Sequence, residues 1–363
     1  MKYIDEFRNA KLVNRVAEKI KARSPGRDIS IMEVCGSHTH SFYRFGLAKL
    51  LPQNIRFISG PGCPVCVSAQ GYIDNAVRFA QDKNTIILTF GDMLRLPGTR
   101  SSLELERAHG GSVQVVYSAL EAIGVAQENP GRKVVFLAVG FETTAPTIAL
   151  TILRAKKENI RNLFFYPALK LIPAALDYLA RDKRLGISGF LLPGHVSAII
   201  GTKPYAFIPK RYKIGCCVAG FEPLDMLEGI YLLVEQIVKQ KPRLQNQYSR
   251  VVKNKGNPRA QRLISRVFKV SAAHWRGLGL IPASGLELKK EFFPFDARAI
   301  RGFRKEDNPF SPADKRCRCP DVIKGLIGPQ ECPLFRKACT PQNPYGPCMI
   351  SNEGACNAYY RYC

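Results

Sequence analysis

The sequence lacks the features that mark a secreted or membrane-spanning protein. Residues 1–30 carry charges throughout and contain no apolar stretch of the kind found in signal peptides. The longest apolar runs, such as Val134 to Phe141, are far too short to cross a bilayer. We therefore expect a cytoplasmic protein, in which the twelve cysteines are better explained as metal ligands or catalytic thiols than as a disulfide framework.

Patterns typical of nucleic-acid binding are also missing, although the chain is strongly basic. It has 54 Lys and Arg against 29 Asp and Glu, which gives a formal net charge of +25. These basic residues are spread along the chain without long runs, and neither zinc-finger spacings nor RNP-like aromatic motifs occur. The charge favours acidic partners or anionic ligands in general, and we expect neither nucleic acid nor a membrane as a partner.

Short β-rich runs alternate with helical patterns through most of the chain, which is typical of βαβ units and parallel sheets. We predict an α/β protein with two open-sheet α/β lobes that face a cleft, at residues 1–160 and 161–285, followed by a small cysteine-rich domain at residues 286–363. The predicted strands are 29–34, 55–59, 85–90, 113–117, 133–139, 163–166, 187–192 and 214–219. The predicted helices are 72–81, 118–126, 144–155, 173–180 and 223–239.

Two pairs of segments suggest an internal duplication that would make the lobes pseudo-symmetric. VVFLAVGFETTAP and IGCCVAGFEPLD share a strand, then Gly-Phe-Glu, then a helix start, while SGPGCP and LLPGHV share a strand followed by Pro-Gly. In parallel sheets, ligands gather at the loops that follow the strands. The noteworthy residues in such loops are Cys35, Cys63, Asp92, Glu142, His195 and Glu222.

The segment CGSHTH places Cys35, His38 and His40 within six residues. One thiolate with two imidazoles suits zinc or iron in an open or exchanging site. Either histidine taken alone is equally consistent with a supporting hydrogen bond beside a ligand. Cys35 is the stronger candidate, as a nucleophile or a metal ligand at a strand end.

The segment GPGCPVC contains the C-x-x-C pair Cys63 and Cys66. This spacing suits reversible disulfide chemistry or two ligands of one metal. The preceding Gly60, Pro61 and Gly62 indicate a rigid loop that presents the thiols. Two buried structural cysteines are the alternative.

The segment Gly140-Phe-Glu142-Thr143-Thr144 is typical of an anion-binding loop at a helix N-terminus, with Thr143 or Thr144 as the N-cap. It lacks the Lys of a Walker A loop and the glycine spacing of a dinucleotide fingerprint. An ordinary capped helix remains the alternative.

The C-terminal segment is cysteine-rich and has too little aliphatic content to fold on hydrophobic burial alone. Four thiolates there fit a [4Fe-4S] cluster and two more could form a disulfide or dithiol, while a four-cysteine zinc site is the alternative. The cysteines concerned are Cys317, Cys319, Cys332, Cys339, Cys348, Cys356 and Cys363.

Several motifs together resemble the HypD family of hydrogenase maturation (formation/expression) factors. These proteins act in the maturation of the iron centre of [NiFe] hydrogenases. The resemblance runs from about residue 30 to the C-terminus. It is carried by CGSHTH, GPGCPVC, GFETTAP, PGHVSAIIG, GFEPLDML, WRGLGLIPASGLEL and ECPLFRKACTPQNPYGPCMISNEGACNAYY.

The resemblance implies two α/β lobes and a C-terminal [4Fe-4S] domain. It also implies a complex with a HypC-like chaperone, on which an Fe(CN)2(CO) unit is assembled with cyanide from a HypE-like donor. Cys35 would hold the transient iron together with the N-terminal cysteine of the chaperone, with His38 beside it. Cys63 and Cys66 would be a redox dithiol.

The same resemblance implies roles for the tail and for the GFETT loop. Cys319 and Cys348 would form a thiol pair that relays electrons, and Glu142 and Thr143 are counted among the candidate catalytic residues. Separately, helix N-termini at Thr144 and near the Gly220 loop are positioned to stabilise thiolates or bound cyanide electrostatically. The cluster ligands would be Cys317, Cys332, Cys339 and Cys356. Cys216, Cys217 and Cys363 lie outside the motifs. The competing interpretations are a thiol-disulfide oxidoreductase with a structural cluster and a binding module with a zinc-bound tail.

Overall fold

The computed structural model describes residues 4–300, 303 and 316–363, and it is an α/β protein built on two sheets, which confirms the predicted class. The strands are β1 Ile29–Glu33, β2 Ile55–Ser59, β3 Thr85–Thr89, β4 Val113–Val115, β5 Lys133–Gly140, β6 Leu163–Lys170, β7 Ile187–Pro193, β8 Gly215–Ala219, β9 Leu244–Asn246, β10 Phe268–Trp275 and β11 Gly279–Leu288. All eight predicted strands are present within a few residues at each end, and β9, β10 and β11 were not predicted.

The five predicted helices are also present, together with others that the sequence pattern did not reveal. The α-helices are α1 Ala10–Arg23, α2 Gly36–Arg44, α3 Gln70–Gln81, α4 Leu103–Ala108, α5 Glu121–Glu128, α6 Ala145–Lys157, α7 Ile172–Arg181, α8 Gly194–Ile200, α9 Pro223–Val238, α10 Pro258–Val267, α11 Cys319–Lys324, α12 Pro347–Ile350 and α13 Ala355–Tyr362. Short 3-10 helices cover Asp5–Arg8, Leu47–Leu50, Gly91–Met93, Lys183–Leu185, Lys203–Tyr205, Lys290–Phe295, Ala297–Ala299 and Pro329–Glu331, and Ile208–Tyr212 is a π-helix. None of the helices in the described part of the chain has the length and apolarity needed to cross a bilayer.

The chain divides into two compact units, each built from separate segments. The first unit comprises the described residues of Met1–Cys63, Ala175–Pro258 and Arg316–Cys363, and the second those of Pro64–Ala174 and Arg259–Lys315. The predicted domains, in contrast, were contiguous, with limits at residues 160 and 285. The cysteine-rich segment from Arg316 onward belongs to the first unit, where α13 packs on α2.

The first unit contains a five-stranded parallel sheet in the order β2-β1-β7-β8-β9. Helix α9 covers it with a continuous apolar face, and Pro223 at its first turn and the acidic Asp225 favour the helix start. The strand order reverses at β1, since β2 lies on one side of it and β7 on the other. Loops after β1 and β7 therefore border the position where open parallel sheets bind ligands.

The second unit contains a six-stranded sheet in the order β10-β11-β6-β5-β3-β4. Its four parallel strands repeat the reversal, with β3 between β4 and β5, and the antiparallel hairpin β10–β11 extends the sheet beyond β6. The shared order agrees with pseudo-symmetric lobes. However, the two Gly-Phe-Glu segments do not occupy equivalent positions. The first begins at the end of β5, which is next to the reversal strand β3, whereas the second follows β8, which is separated from the reversal strand β1 by β7.

Candidate functional site

Cys35 follows β1 and is the N-cap residue of α2, in the first unit. Burial raises the pKa of the Cys35 thiol to about 12, and the negative charges of Glu353 and Glu33 add to that shift. The backbone N–H groups of His38 and Ser37 at the helix start oppose it. Cys35 is therefore a protonated thiol until a cation arrives to take the thiolate.

Glu33, at the end of β1, is a fully buried carboxyl group directly beneath Cys35, and sequence reasoning missed it. Its side chain accepts hydrogen bonds from the Cys35 backbone N–H, at 2.6 Å, and from the Thr39 hydroxyl. Burial raises the pKa of Glu33 to about 8 despite these bonds. The group can therefore exchange a proton near neutral pH, two residues from the thiol.

Glu353, from the cysteine-rich segment, is a second carboxylate at Cys35 that sequence reasoning missed. The Ser37 hydroxyl donates to it at 2.7 Å. A Cβ at Gly36 would lie 2.4 Å from the Glu353 Cβ, so only glycine allows this approach. The only sequence signal was the SNEGAC stretch of the tail. Glu353, together with Glu33 when it is ionised, adds negative charge beside Cys35, which suits a metal cation.

His38 lies on α2 and is fully buried. Its Nε2–H donates to the carbonyl oxygens of Gly220, at 2.9 Å, and Ala219, at 3.2 Å, which leaves Nδ1 as the acceptor nitrogen. No group in the described part of the chain hydrogen-bonds Nδ1. Burial lowers the pKa of His38 to about 4, so the ring is neutral. The Phe221 ring lies 4.7 Å from it and 3.8 Å from that of His195.

The GPGC loop lies directly against Cys35. The Gly36 N–H donates to the Gly62 carbonyl at 2.9 Å, and the Gly60 N–H donates to the Glu33 carbonyl at 2.8 Å. A Cβ at Gly62 would lie 2.2 Å from the Cys35 backbone nitrogen. The structure thus brings the CGSHTH segment and the GPGC segment together in the first unit. The first unit includes this loop only as far as Cys63, because the second unit begins at Pro64. Cys63 and Cys66 are both buried.

Five of the seven tail thiols lie close to one another. The Sγ atoms of Cys319 and Cys348 are 2.7 Å apart, so these two are positioned as a pair. The charges of Cys356 and Cys317 act on the Cys339 thiol, whose sulfur accepts the Tyr345 N–H at 3.4 Å. Burial raises the pKa of both Cys319 and Cys339.

Space beside these thiols is provided by Gly346, where a Cβ would lie 2.8 Å from the Cys317 sulfur. Cys332, which is half-buried, acts electrostatically on Arg318, and Cys363 is exposed. Within the described ranges, no three His, Cys, Asp or Glu side chains are arranged to hold a single metal ion. The donors nevertheless fit a cluster in kind, since the tail supplies the four predicted ligand thiols besides the Cys319–Cys348 pair and Gly346 leaves space beside the Cys317 sulfur.

Glu142 and Thr143 lie in the second unit. Glu142 is 2% exposed, and its Oε1 accepts the Ile172 N–H at 3.0 Å at the start of α7. Burial raises the pKa of Glu142 to about 8. Thr143 is exposed, and Thr144 occupies the N-cap position of α6, as predicted, although its side chain makes no capping hydrogen bond. A Cβ at Gly140 (φ 156°) would meet the Thr144 side chain, which explains the glycine.

The remaining predicted positions have structural roles. Cys216 and Cys217 are fully buried in β8, and burial raises the pKa of both thiols, so they behave as core residues. His40 lies 3.1 Å from the Tyr362 hydroxyl and connects α2 with α13. Glu222 forms an ion pair with Arg8.

The chain is similar over its whole length to proteins of hydrogenase maturation. The HypD family model, described as "Hydrogenase formation hypA family", matches residues 11–363. The hydrogenase maturation factor HypD of Escherichia coli (strain K12) is 44% identical over 370 residues, which cover 100% of this chain and 98% of that protein. The same-named factor of Cupriavidus necator is 42% identical over 371 residues (100% and 97%). A putative hydrogenase expression/formation protein of Methanocaldococcus jannaschii is 38% identical over 352 residues (96% and 95%).

Proposed function

Because this chain belongs to the HypD family and hence has a role in hydrogenase maturation, we propose that it is the scaffold on which the Fe(CN)2(CO) unit of [NiFe] hydrogenase is assembled. In this proposal, Cys35 and the N-terminal cysteine of a HypC-like chaperone hold the iron between them, and a HypE-like protein donates cyanide. The iron is cargo that leaves with the finished ligands. Cys35 is the residue on which the proposal depends.

The contact between Gly62 and Cys35 is the observation that supports this assignment most strongly. It places the GPGC segment, up to Cys63, against the proposed iron ligand. Glu33 accepts the Cys35 N–H, and Glu353 accepts the hydroxyl of Ser37, two residues further along. When iron binds, the Cys35 thiol loses a proton and the new thiolate compensates part of the metal charge. The buried Glu33 carboxyl group, with its pKa raised to about 8, can accept that proton in those molecules in which it is ionised.

The thiol pairs are proposed to supply electrons. When Cys63 and Cys66 form a disulfide, two electrons and two protons are released, which matches the two-electron reduction needed to free cyanide from a thiocyanate-like carrier. The pair Cys319 and Cys348, 2.7 Å apart, would regenerate the dithiol by thiol-disulfide exchange.

A [4Fe-4S] cluster is proposed to be held by Cys317, Cys332, Cys339 and Cys356, where it would provide one-electron chemistry. Two features of the tail support this set. Gly346 leaves space beside Cys317, and the Tyr345 N–H donates to the Cys339 sulfur, a bond that favours a thiolate.

The test is anaerobic co-expression with the chaperone and the cyanide donor, followed by infrared spectroscopy of the purified complex. Bands in the cyanide and carbonyl stretching region are expected from the wild type and should be lost in Cys35→Ala. Cys363→Ala is the matched control, because that exposed cysteine lies outside the motifs. Bands that survive in Cys35→Ala, or that are never formed by the wild type, would refute the scaffold role.

The competing function is a thiol-disulfide oxidoreductase with a structural cluster, and the Cys319–Cys348 pair is the observation that favours it. The same experiment separates the two. An oxidoreductase would keep its cluster and its thiol exchange but would show no cyanide or carbonyl bands even with the chaperone present.

A further inference from the structure

A cavity of about 300 Å³ lies in the second unit, between β6, the start of α3 and the hairpin β10–β11. One wall is aromatic and rigid, because the rings of Tyr72 and Tyr166 stack 4.4 Å apart. Their hydroxyl groups are fixed as well. The Tyr72 hydroxyl donates to the Tyr166 carbonyl at 2.9 Å, and the Asn75 amide donates to the Tyr166 hydroxyl at 3.0 Å. The cavity is therefore preformed, at the small end of the size range of ligand pockets.

Lys170, the last residue of β6, lines this cavity and is only 3% exposed. Its Nζ lies 5.8 Å from the centre of the Trp275 ring, and no carboxylate in the described part of the chain pairs with it. Burial of an ammonium group without an anion is costly. Lys170 nevertheless lies buried in the wall of the cavity, where an anionic ligand would offset this cost.

Arg276 brings a second buried positive charge close to Lys170 and repels it electrostatically. The Arg276 side chain is held in place, because its Nε–H donates to the Ser68 carbonyl at 2.7 Å and its backbone N–H donates to the Val67 carbonyl at 2.9 Å. Because the positive charge of Arg276 disfavours the charged form of Lys170, an anion placed on the Lys170 ammonium group would be stabilising.

The other charged groups at the cavity are already paired. Arg298 binds Asp296 at 2.6 Å and Glu287 at 3.0 Å, and Glu287 also pairs with Lys269 at 3.7 Å. Lys170 is consequently the cation of this cavity that lacks a counter-charge among the described residues.

We propose that this cavity binds a small organic anion, with its carboxylate or phosphate group on the Lys170 ammonium and its apolar body against Tyr72, Tyr166 and Phe303. The lining is predominantly apolar, which favours a ligand with a hydrocarbon or aromatic part over a bare inorganic ion. The site is independent of the iron scaffold role. It lies beside the turn that follows Cys66, since Arg276 holds the backbone of Val67 and Ser68.

The test is calorimetric titration of the full-length protein at constant ionic strength with benzoate, phenyl phosphate, benzamide and inorganic phosphate. Benzoate or phenyl phosphate should bind saturably at one site, and the stronger of the two identifies the head group. Benzamide, which has the same shape without a charge, and inorganic phosphate, which lacks the apolar body, should bind at least roughly tenfold more weakly. Lys170→Gln should lose at least about tenfold in affinity, whereas Lys83→Gln, an exposed lysine of the same unit, should bind like the wild type.

Equal binding of benzamide, equal binding by Lys170→Gln, or no saturable binding of any probe would overturn the proposal. A wild-type crystal soaked with 4-bromobenzoate provides a measurement that does not depend on the folding of a variant. If phenyl phosphate is the stronger probe, 4-bromophenyl phosphate is soaked instead. Anomalous scattering should place the bromine in the cavity with the anionic group at Lys170, and a bromine found only elsewhere, or not at all, would also overturn the proposal.

Discussion

Gly62 touches the backbone of Cys35 so closely that a methyl group at position 62 would lie 2.2 Å from the Cys35 nitrogen. This contact results from the pairing of β1 with β2, in which Glu33 faces Ser59 at the strand ends. Parallel neighbours release their following loops at the same edge of the sheet. The proximity of the two cysteine loops is therefore a direct consequence of the strand order.

Gly62→Ala should displace the GPGC loop from Cys35. We expect a loss of about 1–3 kcal/mol in the free energy of unfolding, as for other overpacked sites, and loss of the infrared bands of bound cyanide and carbonyl. Gly26→Ala is the control, because a Cβ there meets nothing within 4 Å. Urea unfolding and infrared spectroscopy measure the two effects. If Gly62→Ala behaved like Gly26→Ala in both, the contact would have no importance for the site.

Glu142 should make the stability of the second unit depend on pH. Burial raises its pKa from 4.5 to about 8, so its stabilising contribution is complete below about 4.5 and is lost as the pH rises to about 8. Each pKa unit corresponds to about 1.4 kcal/mol. Glu142→Gln keeps an acceptor for the Ile172 N–H without the charge, and it should be more stable than the wild type at pH 8, with a difference that shrinks toward pH 5.

The control for this effect is Glu128→Gln, since Glu128 is exposed. Thermal unfolding from pH 5 to pH 8 measures both variants against the wild type. An unchanged pH dependence in Glu142→Gln would show that the buried carboxyl group does not titrate over this range.

Local sequence patterns predicted strands well but could not predict their partners. The run VVFLAVG is apolar throughout because β5 is buried on both faces. Nothing in β3 or β7, however, indicates which sheet each strand joins, because partner choice depends on long-range packing. The hairpin β10–β11 was missed although its turn carries a signal, since Gly277 and Gly279 both adopt positive φ.

For the candidate site, the expectation that functional residues lie in loops after parallel strands was sufficient to select Cys35 and Cys63. It did not identify the groups around them. Glu33 is the last residue of β1, and the order of apolar and polar residues in ISIME does not indicate that this carboxyl group is buried. Glu353 comes from the far end of the chain, and Lys170 looks like an ordinary basic residue until the cavity is seen. Such residues acquire their character from burial, which single-sequence patterns do not reveal.

Cys319 and Cys348 should be the first thiols to form a disulfide under mild oxidation. Their sulfur atoms lie 2.7 Å apart, whereas Cys216 and Cys217, neighbours on β8, point to opposite faces of the strand. Anaerobic protein treated with limiting diamide, alkylated and digested should yield a peptide pair linked through these two residues, and Cys348→Ser should abolish it. Preferential linkage elsewhere, with Cys319 and Cys348 both alkylated, would contradict the proposed relay.

Cys66→Ser should separate the redox dithiol from the cluster. Cys66 lies in the loop after β2, outside the segment that contains the proposed cluster ligands, so iron and sulfide contents should match the wild type. Hydrogenase maturation should nevertheless be abolished, because a lone Cys63 cannot form the disulfide that releases two electrons. The matched variant is Cys363→Ser, which removes an exposed thiol and should leave both measurements unchanged. Full hydrogenase activity with Cys66→Ser would exclude the dithiol as the electron donor and would leave the tail pair as the candidate source.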